Sequence, residues 1–248
     1  MDRATATPTG RAVEPRWGIP DAAIGWLVAV SAASLIGSII LLAAGYGGED
    51  GKPIDDIPMT LVAAQYPPLW LGFVGVPVWA AWLKGRGVVE DFGLRIRSWD
   101  LWGLPAGIAA QLVLVPLVSF PVLWLSGTDT DELSRPAREL ADKAQAGSTV
   151  GVVLFALVVI VGAPIAEELF FRGLLLRAVE KRWGTAIGLI GSSVIFGITH
   201  FQALQFPALT AAGLVFGGLA VRTGRLGPAI LAHMAFNAVT VVNLLWLT

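Results

Sequence analysis

Long stretches without a single Asp, Glu, Lys or Arg constrain the fold of this chain more than any other feature. Six such stretches cover most of the chain, namely residues 22–48, 57–83, 101–128, 144–166, 183–221 and 226–248. Each is at least as long as the roughly 20 apolar residues that cross about 30 Å of hydrocarbon, and the fifth is long enough for two spans that break near Phe206 and Pro207. We therefore predict an all-α fold, a polytopic integral membrane helical bundle of about seven transmembrane helices, seven or eight.

The composition supports the membrane class and excludes several others. Hydrophobic residues make up 55% of the chain, charged residues make up 14%, and the mean hydropathy is +0.72, so a soluble globular domain is excluded. The 17 Lys and Arg residues nearly balance the 18 Asp and Glu residues, so no basic excess attracts nucleic acid. Because the chain has no cysteine, disulfides, thiolate metal sites and a cysteine nucleophile are excluded. The composition therefore predicts the lipid bilayer as a partner and no nucleic acid, and the oligomeric state stays open.

The distribution of basic residues predicts the orientation in the membrane. With the N-terminus in the cytoplasm, 12 basic residues lie on the cytoplasmic side, and only Lys52, Arg135, Arg138 and Lys143 lie outside. We therefore expect residues 1–20 to form a cytoplasmic polar tail, residues 21–248 to form one integral membrane domain, and the C-terminus to lie outside. The first span is too long for a signal peptide, so we expect it to be a retained anchor.

Six side chains in or next to the apolar segments of the second half of the chain stand out, and five of them are ionisable. They are Glu167, Glu168, Arg172, His200, His233 and Asn237. An ionisable group at the centre of a membrane costs about 3 kcal/mol or more, so each is a functional candidate. The two histidines are the only ones in the chain, and both fall within predicted spans. The set therefore predicts a functional site.

Helical spacing divides these residues into groups. Glu168 precedes Arg172 by four residues, which is the favourable order for an ion pair within a helix. Glu167 lies about 100° around the helix and has no such partner, as suits a general base. His233 and Asn237 are also four residues apart, so they share a helix face and are placed to donate hydrogen bonds to one oxyanion.

Simpler interpretations of the same residues stay open. A Glu–Arg pair near the end of a span often serves as an anchor, and a lone Asn in a span often joins two helices by a hydrogen bond. Other hydrolytic schemes fit the sequence less well. The chain has no His-Glu-x-x-His, no aspartate within a span and no Gly-x-Ser-x-Gly elbow around Ser192 and Ser193. A carboxylate, two imidazoles and a carboxamide remain, and these groups suffice to activate water or to hold a metal.

Three short motifs in this half of the chain also carry a family resemblance. In order along successive apolar segments, these motifs are Glu167-Glu168-x-x-x-Arg172, Phe196-x-x-x-His200 and His233-x-x-x-Asn237. Together they resemble the motifs of the CPBP intramembrane protease family, which groups the CAAX prenyl endopeptidases with the bacterial bacteriocin-processing and immunity proteins called Abi. The resemblance covers about residues 150–241, which would form the catalytic core.

The resemblance implies a role for each of these residues. Glu167 would activate the attacking water, and His200 would orient this water or transfer a proton. His233 and Asn237 would stabilise the oxyanion. The supporting residues would be Glu168, Arg172 and Phe196.

The resemblance also implies an activity and leaves the cofactor open. The chain would be an endopeptidase of the bacterial cytoplasmic membrane, with membrane-associated substrates that include prenylated CAAX-type ones. Glu167, His200 and His233 are candidate ligands for zinc or another divalent metal in a metalloprotease, and the same groups suffice for hydrolysis without a metal. The alternative is a non-catalytic membrane immunity factor or a small transporter that uses the same buried polar residues.

The three motifs are predicted to lie at different depths in the membrane when residues are counted from the cytoplasmic end of each segment. At about 1.5 Å per residue, Glu167 and His200 lie about 21–22 Å from these ends, whereas His233 lies only about 9 Å from its own. Either the segment 173–182 protrudes from the membrane, or a helix is broken or tilted around the site. We predict a kink near Pro164.

Overall fold

The computed structural model describes residues 15–47, 51–147 and 149–247. Most of the predicted polar tail, residues 1–20, therefore lies outside the described part of the chain. Within the described ranges the chain forms helices and no β-strand, so the predicted all-α fold is confirmed.

Nine helices of at least five residues follow one another in the described ranges. They are α1 (Ile19–Ala43), α2 (Met59–Lys84), α3 (Val88–Phe92), α4 (Ser98–Ser126), α5 (Thr130–Gly147), α6 (Thr149–Trp183), α7 (Thr185–Ile198), α8 (Phe206–Thr223) and α9 (Gly227–Leu245). Six of them, α1, α2, α4, α6, α8 and α9, are long and apolar enough to cross a membrane, and α7, with 14 residues, is a shorter apolar helix. These seven apolar helices agree with the prediction of a polytopic helical membrane bundle.

Three of the long helices contain a π-helical segment that ends shortly before a proline. These segments are Leu71–Gly75 before Pro77 in α2, Ala110–Leu114 before Pro116 in α4, and Leu157–Gly162 before Pro164 in α6. A proline has no N–H to donate, and its ring clashes with the carbonyl four residues earlier, so the wider turn relieves the clash while the helix continues. Where the sequence predicts a kink near Pro164, the structure has this π-helical segment inside an unbroken helix.

Small residues allow the helices of the bundle to approach closely. Gly103 and Gly107 of α4 lie against the backbone of α9, where a side chain at Gly107 would overlap Ala232. Gly213 of α8 lies in the same way against Ser193 of α7. Such close approaches provide the dispersion contacts that join helices in a membrane.

Basic residues near the helix ends gather at one end of the bundle, which we call the basic end. Lys181 donates to the backbone carbonyls of Pro15 and Trp17, both at 2.7 Å, and its ammonium group lies over the Trp17 ring. Lys84 at the end of α2 pairs with Asp21 near the start of α1, at 2.5 Å. The start of α1 and the last residues of α2 and α6 therefore meet at the basic end.

At the opposite end of the bundle, α5 lies across the ends of α2, α6 and α9. Its buried residue Ala144 belongs to a cluster with Phe155 of α6 and Leu244 of α9. The side chain of Gln205, in the segment between α7 and α8, donates to the carbonyl of Leu133 on α5 at 2.6 Å. Helix α5 therefore covers this end of the bundle and is tied to the segment that follows α7.

Helix α6 extends past the turn between α8 and α9 at the basic end. With 35 residues at about 1.5 Å each, α6 measures about 52 Å and exceeds the roughly 30 Å of a hydrocarbon core. The guanidinium of Arg177 donates to the carbonyl of Gly224 at 3.1 Å, so the turn between α8 and α9 lies beside Arg177, and the rest of α6 continues beyond it. This extension explains why the predicted depths of the motifs differ. Residues of α6 and α9 can lie at the same level of the bundle although they are at different distances from the basic ends of their helices.

Candidate active site

A buried ion pair within α6 forms the centre of the candidate site. Nη1 of Arg172 donates to Oε1 of Glu168 at 2.8 Å, and both side chains are completely buried. Nη2 of Arg172 donates to the carbonyl of Gly213 on α8 at 3.1 Å, and the guanidinium carbon lies 4.4 Å from the centroid of the Phe196 ring on α7. The ion pair that the spacing predicts is present, and it ties α6 to α7 and α8.

His233 joins this pair from α9. Its Nδ1 lies 2.8 Å from Oε1 of Glu168, so one carboxylate oxygen contacts both Arg172 and His233. A carboxylate only accepts hydrogen bonds, so we assign the hydrogen to Nδ1, which leaves Nε2 for other groups. Residues 65 positions apart along the chain thus meet in one hydrogen-bonded cluster.

Glu167 has a different environment from its neighbour Glu168. Its Oε2 lies 3.8 Å from Nε2 of His233, which is beyond hydrogen-bond distance. The side chain of Glu167 is 18% exposed, whereas that of Glu168 is fully buried. Glu167 therefore presents an accessible carboxylate beside an imidazole.

His200 lies just after the end of α7, in the segment that leads to α8. Its Nδ1 lies 2.7 Å from the carbonyl of Phe196, and because a carbonyl only accepts, Nδ1 donates and Nε2 stays available. The Phe196 ring packs edge-on against both imidazoles, with its centroid 4.8 Å from that of His200 and 5.7 Å from that of His233. Phe196 therefore packs between the two histidines of the chain and contacts both.

Asn237 makes a hydrogen bond between two helices. Its Nδ2 donates to the carbonyl of Val159 on α6 at 2.8 Å. A carboxamide has two N–H groups, so one of them remains for a substrate. The side chain thus joins α9 to α6, as the simpler interpretation of the sequence expects, and it still has a donor beside the cluster.

Helix α8 contributes two groups that sequence reasoning missed. The ring of Phe216 stacks on the imidazole of His233, with centroids 4.7 Å apart and ring planes inclined by 17°. The second group is the Gly213 carbonyl, which accepts from Arg172. An aromatic residue in an apolar helix usually packs against other apolar groups, and a backbone carbonyl has no sequence signal. The one available cue is that Gly213, Phe216 and Gly217 are spaced to share a helix face.

The predicted metal ligands Glu167, His200 and His233 do not come together as a metal site. Among the described residues, no three His, Cys, Asp or Glu side chains form a group that could hold a metal ion. The Nδ1 atoms of the two histidines are taken by the Phe196 carbonyl and by Glu168. The arrangement therefore does not fit a three-ligand zinc site.

Comparison with known proteins gives one family match and two curated relatives. Residues 149–239 match the family model described as "Type II CAAX prenyl endopeptidase Rce1-like". The "Putative membrane peptidase YdiL" of Bacillus subtilis (strain 168) is 34% identical over 157 residues, which are 63% of this chain and 59% of YdiL. An "Uncharacterized 24.3 kDa protein" of Escherichia coli is 31% identical over 108 residues, which are 41% of this chain and 50% of that protein. No solved structure matches the chain significantly.

The fold and the site define the class of this protein. It is an integral membrane protein with a polar site inside its helical bundle, built from α6, α7, α8 and α9. The matches to the Rce1-like model and to YdiL support the resemblance to the CPBP family, which the family model places over residues 149–239. The chain spans between half and three fifths of the length of the two curated relatives.

Two glycines of α8 provide a matched test of how tightly Arg172 is held. A Cβ at Gly213 would lie 3.1 Å from Cβ of Ser193 and 3.2 Å from Nη2 of Arg172, whereas a Cβ at Gly218 would meet nothing within 4 Å. We expect Gly213→Ala to lower the free energy of unfolding by about 1–3 kcal/mol through overpacking. Gly218→Ala should raise it by up to about 1 kcal/mol, because Ala is the better helix former. Thermal unfolding in one detergent compares the two variants, and equal stability would mean that Arg172 is free to shift.

Proposed function

We propose that this chain is an intramembrane endopeptidase that hydrolyses peptide bonds of membrane-associated substrates with water activated by Glu167. One observation carries the proposal. Of two adjacent carboxylates, Glu168 is buried and paired with Arg172, whereas Glu167 is accessible and lies beside His233. A general base needs a carboxylate that is free to take a proton. Glu167 meets this requirement, and Glu168 does not. The Rce1-like match and the name of the relative YdiL support the same class of reaction.

In the proposed reaction, Glu167 accepts a proton from water while the water oxygen attacks the carbonyl carbon of the peptide bond. The carbonyl oxygen becomes the oxyanion of a tetrahedral intermediate. Nε2 of His233, in its imidazolium form, and the second amide N–H of Asn237 donate hydrogen bonds to this oxyanion. Glu168 holds the imidazole of His233 through Nδ1, which orients Nε2. The proton taken by Glu167 reaches the leaving amine through Nε2 of His200 as the C–N bond breaks.

The proposed chemistry uses no metal. Glu167 supplies the base, and His233 with Asn237 supplies the oxyanion donors, so each step has a residue of this chain to perform it. The resemblance also allows a metalloprotease. A metalloprotease would need metal ligands that lie close together, and the described histidines are not arranged in this way.

The proposed substrates reach the site from the membrane and include prenylated, CAAX-type chains. A lipid anchor or an apolar segment keeps a substrate at the depth of a site that lies among membrane-spanning helices. By the positive-inside rule, the basic end and the N-terminus lie in the cytoplasm and the C-terminus lies outside, in the cytoplasmic membrane of a bacterium. The catalytic core is then formed by about residues 150–241, and the rest of residues 21–248 completes the membrane domain.

Peptide cleavage by the purified chain in nanodiscs tests this proposal. The substrates are quenched fluorescent peptides with and without a prenyl group, each incubated with and without a metal chelator. We expect cleavage of the membrane-anchored peptides that persists with the chelator. Cleavage that stops with the chelator would overturn the metal-free mechanism but would still support a peptidase activity. If none of the peptides is cleaved, the result would favour the non-catalytic alternative, an immunity factor or a small transporter.

Phe216→Leu is expected to lower kcat about 10–100-fold with little change in KM, because a misplacement of about 1 Å can cost about 100-fold in rate. Leucine keeps most of the apolar volume of Phe216 but loses the flat ring that stacks on His233 and orients Nε2. Phe236→Leu is the matched control, since this buried phenylalanine meets the edge of the Phe216 ring at 5.7 Å. Steady-state kinetics compare the two variants, and an equal loss in both would assign Phe216 to packing alone.

A further inference from the structure

The backbone hydrogen bonds of α6 change register just before Pro164. The N–H of Ala163 donates to the carbonyl of Val158, five residues earlier, as in a π-helix. In the same register the carbonyl of Val159 would accept from residue 164, but a proline has no N–H. The carbonyl of Val159 therefore lacks the backbone donor that a regular helix supplies.

Asn237 of α9 supplies the missing donor. Its Nδ2 donates to the carbonyl of Val159 at 2.8 Å. A carboxamide is planar, so a hydrogen bond from one of its N–H groups also fixes the direction of the other. The carbonyl that the proline leaves free thus sets the orientation of a side chain placed beside His233.

We propose that Pro164 is a positioning residue for Asn237, because by withholding an N–H it keeps the Val159 carbonyl free to hold the carboxamide toward the oxyanion. This inference rests on the proposed function, in which the second N–H of Asn237 contacts the oxyanion. Pro164 precedes the general base Glu167 by three residues. One stretch of α6 thus supplies the base and, through a backbone carbonyl, orients an oxyanion donor on α9.

Pro164→Ala tests the inference because it restores an N–H at position 164. If the π register persists, this N–H bonds the carbonyl of Val159, and if the α register returns, the N–H of Ala163 does so. In both cases Asn237 meets a competing backbone donor. We expect kcat to fall about 2–10-fold, the factor that one hydrogen bond is worth, with KM unchanged. The unfolding temperature should stay the same or rise, because proline is the least favourable residue inside a helix.

Pro116→Ala in α4 is the matched control. There the N–H of Val115 donates to the carbonyl of Ala110, so the π register and the following proline are the same as in α6. Helix α4 carries none of the proposed catalytic groups, so we expect Pro116→Ala to leave kcat unchanged. An equal fall of kcat in the two proline variants would overturn the inference, because the effect would then belong to helix geometry in general.

A double-mutant cycle with Asn237→Ala tests whether Pro164 acts through Asn237. If it does, Pro164→Ala lowers kcat in the wild-type background and has no further effect once Asn237 is replaced. The same fall in both backgrounds would show that Pro164 acts by another route and would overturn the inference.

A readout without catalysis separates this inference from the proposed function. The chain has two asparagines, Asn237 and Asn243, so selective side-chain ¹⁵N labelling of asparagine gives two pairs of amide signals in the NMR spectrum of the full chain in micelles. We expect Pro164→Ala to shift the Asn237 signal and Pro116→Ala to leave it in place. An Asn237 signal that does not move in Pro164→Ala overturns the inference even if the wild type cleaves peptides. A shifted signal in a chain that cleaves no peptide refutes the proposed function and supports the orienting contact.

Discussion

Glu167→Gln is expected to abolish peptide cleavage while the chain still folds and enters the membrane. Glutamine keeps the size of the side chain but cannot take a proton from water, and general base catalysis contributes about 10²–10⁴-fold in rate. Glu167 makes no close ion pair with His233, since their nearest atoms are 3.8 Å apart, so the substitution removes little structural stabilisation. We therefore expect kcat to fall about 10²–10⁴-fold, with the unfolding temperature close to that of the wild type. Initial rates of peptide cleavage and thermal unfolding of the same preparation measure both quantities.

Two other glutamates of α6 provide the controls for this result. Glu168→Gln should lower both activity and stability, because Glu168 is fully buried between Arg172 and His233. Glu180→Gln should change neither, because Oε1 of this residue near the basic end accepts from the Thr185 hydroxyl, and an amide oxygen can accept in the same way. Substantial cleavage by Glu167→Gln would mean that another group is the base. Loss of folding in both Glu167→Gln and Glu168→Gln would make the motif structural.

Arg172→Met is expected to be the most destabilising of the substitutions considered. The arginine is the cation of a completely buried pair, and its removal leaves Glu168 as a buried charge that keeps only the contact with His233. Removing one partner of a buried ion pair costs about 3–5 kcal/mol, which corresponds to an unfolding temperature lower by about 6–20 °C in a chain of this size. The contact with the Gly213 carbonyl on α8 is lost as well. Thermal unfolding in detergent measures the change.

An exposed pair and a double variant complete this experiment. Arg95 and Glu90 form an ion pair with side chains 63% and 45% exposed, so Arg95→Met should change the free energy of unfolding by no more than about 1 kcal/mol. The double variant Glu168→Gln with Arg172→Met should be more stable than Arg172→Met alone, because it no longer buries an unpaired charge. If Arg172→Met unfolded at the same temperature as Arg95→Met, the buried pair would not hold α6, α7 and α8 together.

The helices of this chain could be predicted from its sequence because a membrane leaves few alternatives. A stretch without charged residues that is long enough to span must satisfy its backbone hydrogen bonds within itself, and a helix does so. The ion pair of Glu168 and Arg172 could be predicted for a similar reason, since a helix fixes the distance between residues four positions apart. The contact of His233 with this pair could not be predicted from spacing, because they lie on different helices, and the family resemblance only assigned these residues to one site.

The rest of the site depends on contacts that cannot be predicted from residue types. The hydrogen bond from Asn237 to Val159 uses a backbone carbonyl that is free only because the register of α6 changes before Pro164. The stacking of Phe216 on His233 depends on how α8 rotates against α9, and an apolar helix has no polar face from which to predict that rotation. The sequence left two explanations for the different depths of the motifs, and the contact of Arg177 with the turn between α8 and α9 is consistent with a segment of α6 that continues past that turn.

The bond between Glu168 on α6 and His233 on α9 also has a consequence for the order of assembly. The two residues are 65 positions apart, so α7 and α8 must be synthesised before α9 can complete the cluster. Until then the chain contains Glu167 but lacks the imidazole and the amide that the proposed reaction needs. Under the proposed function, a growing chain would therefore cleave no peptide until α9 is in place. Proteolytic activity would then report complete assembly of the bundle.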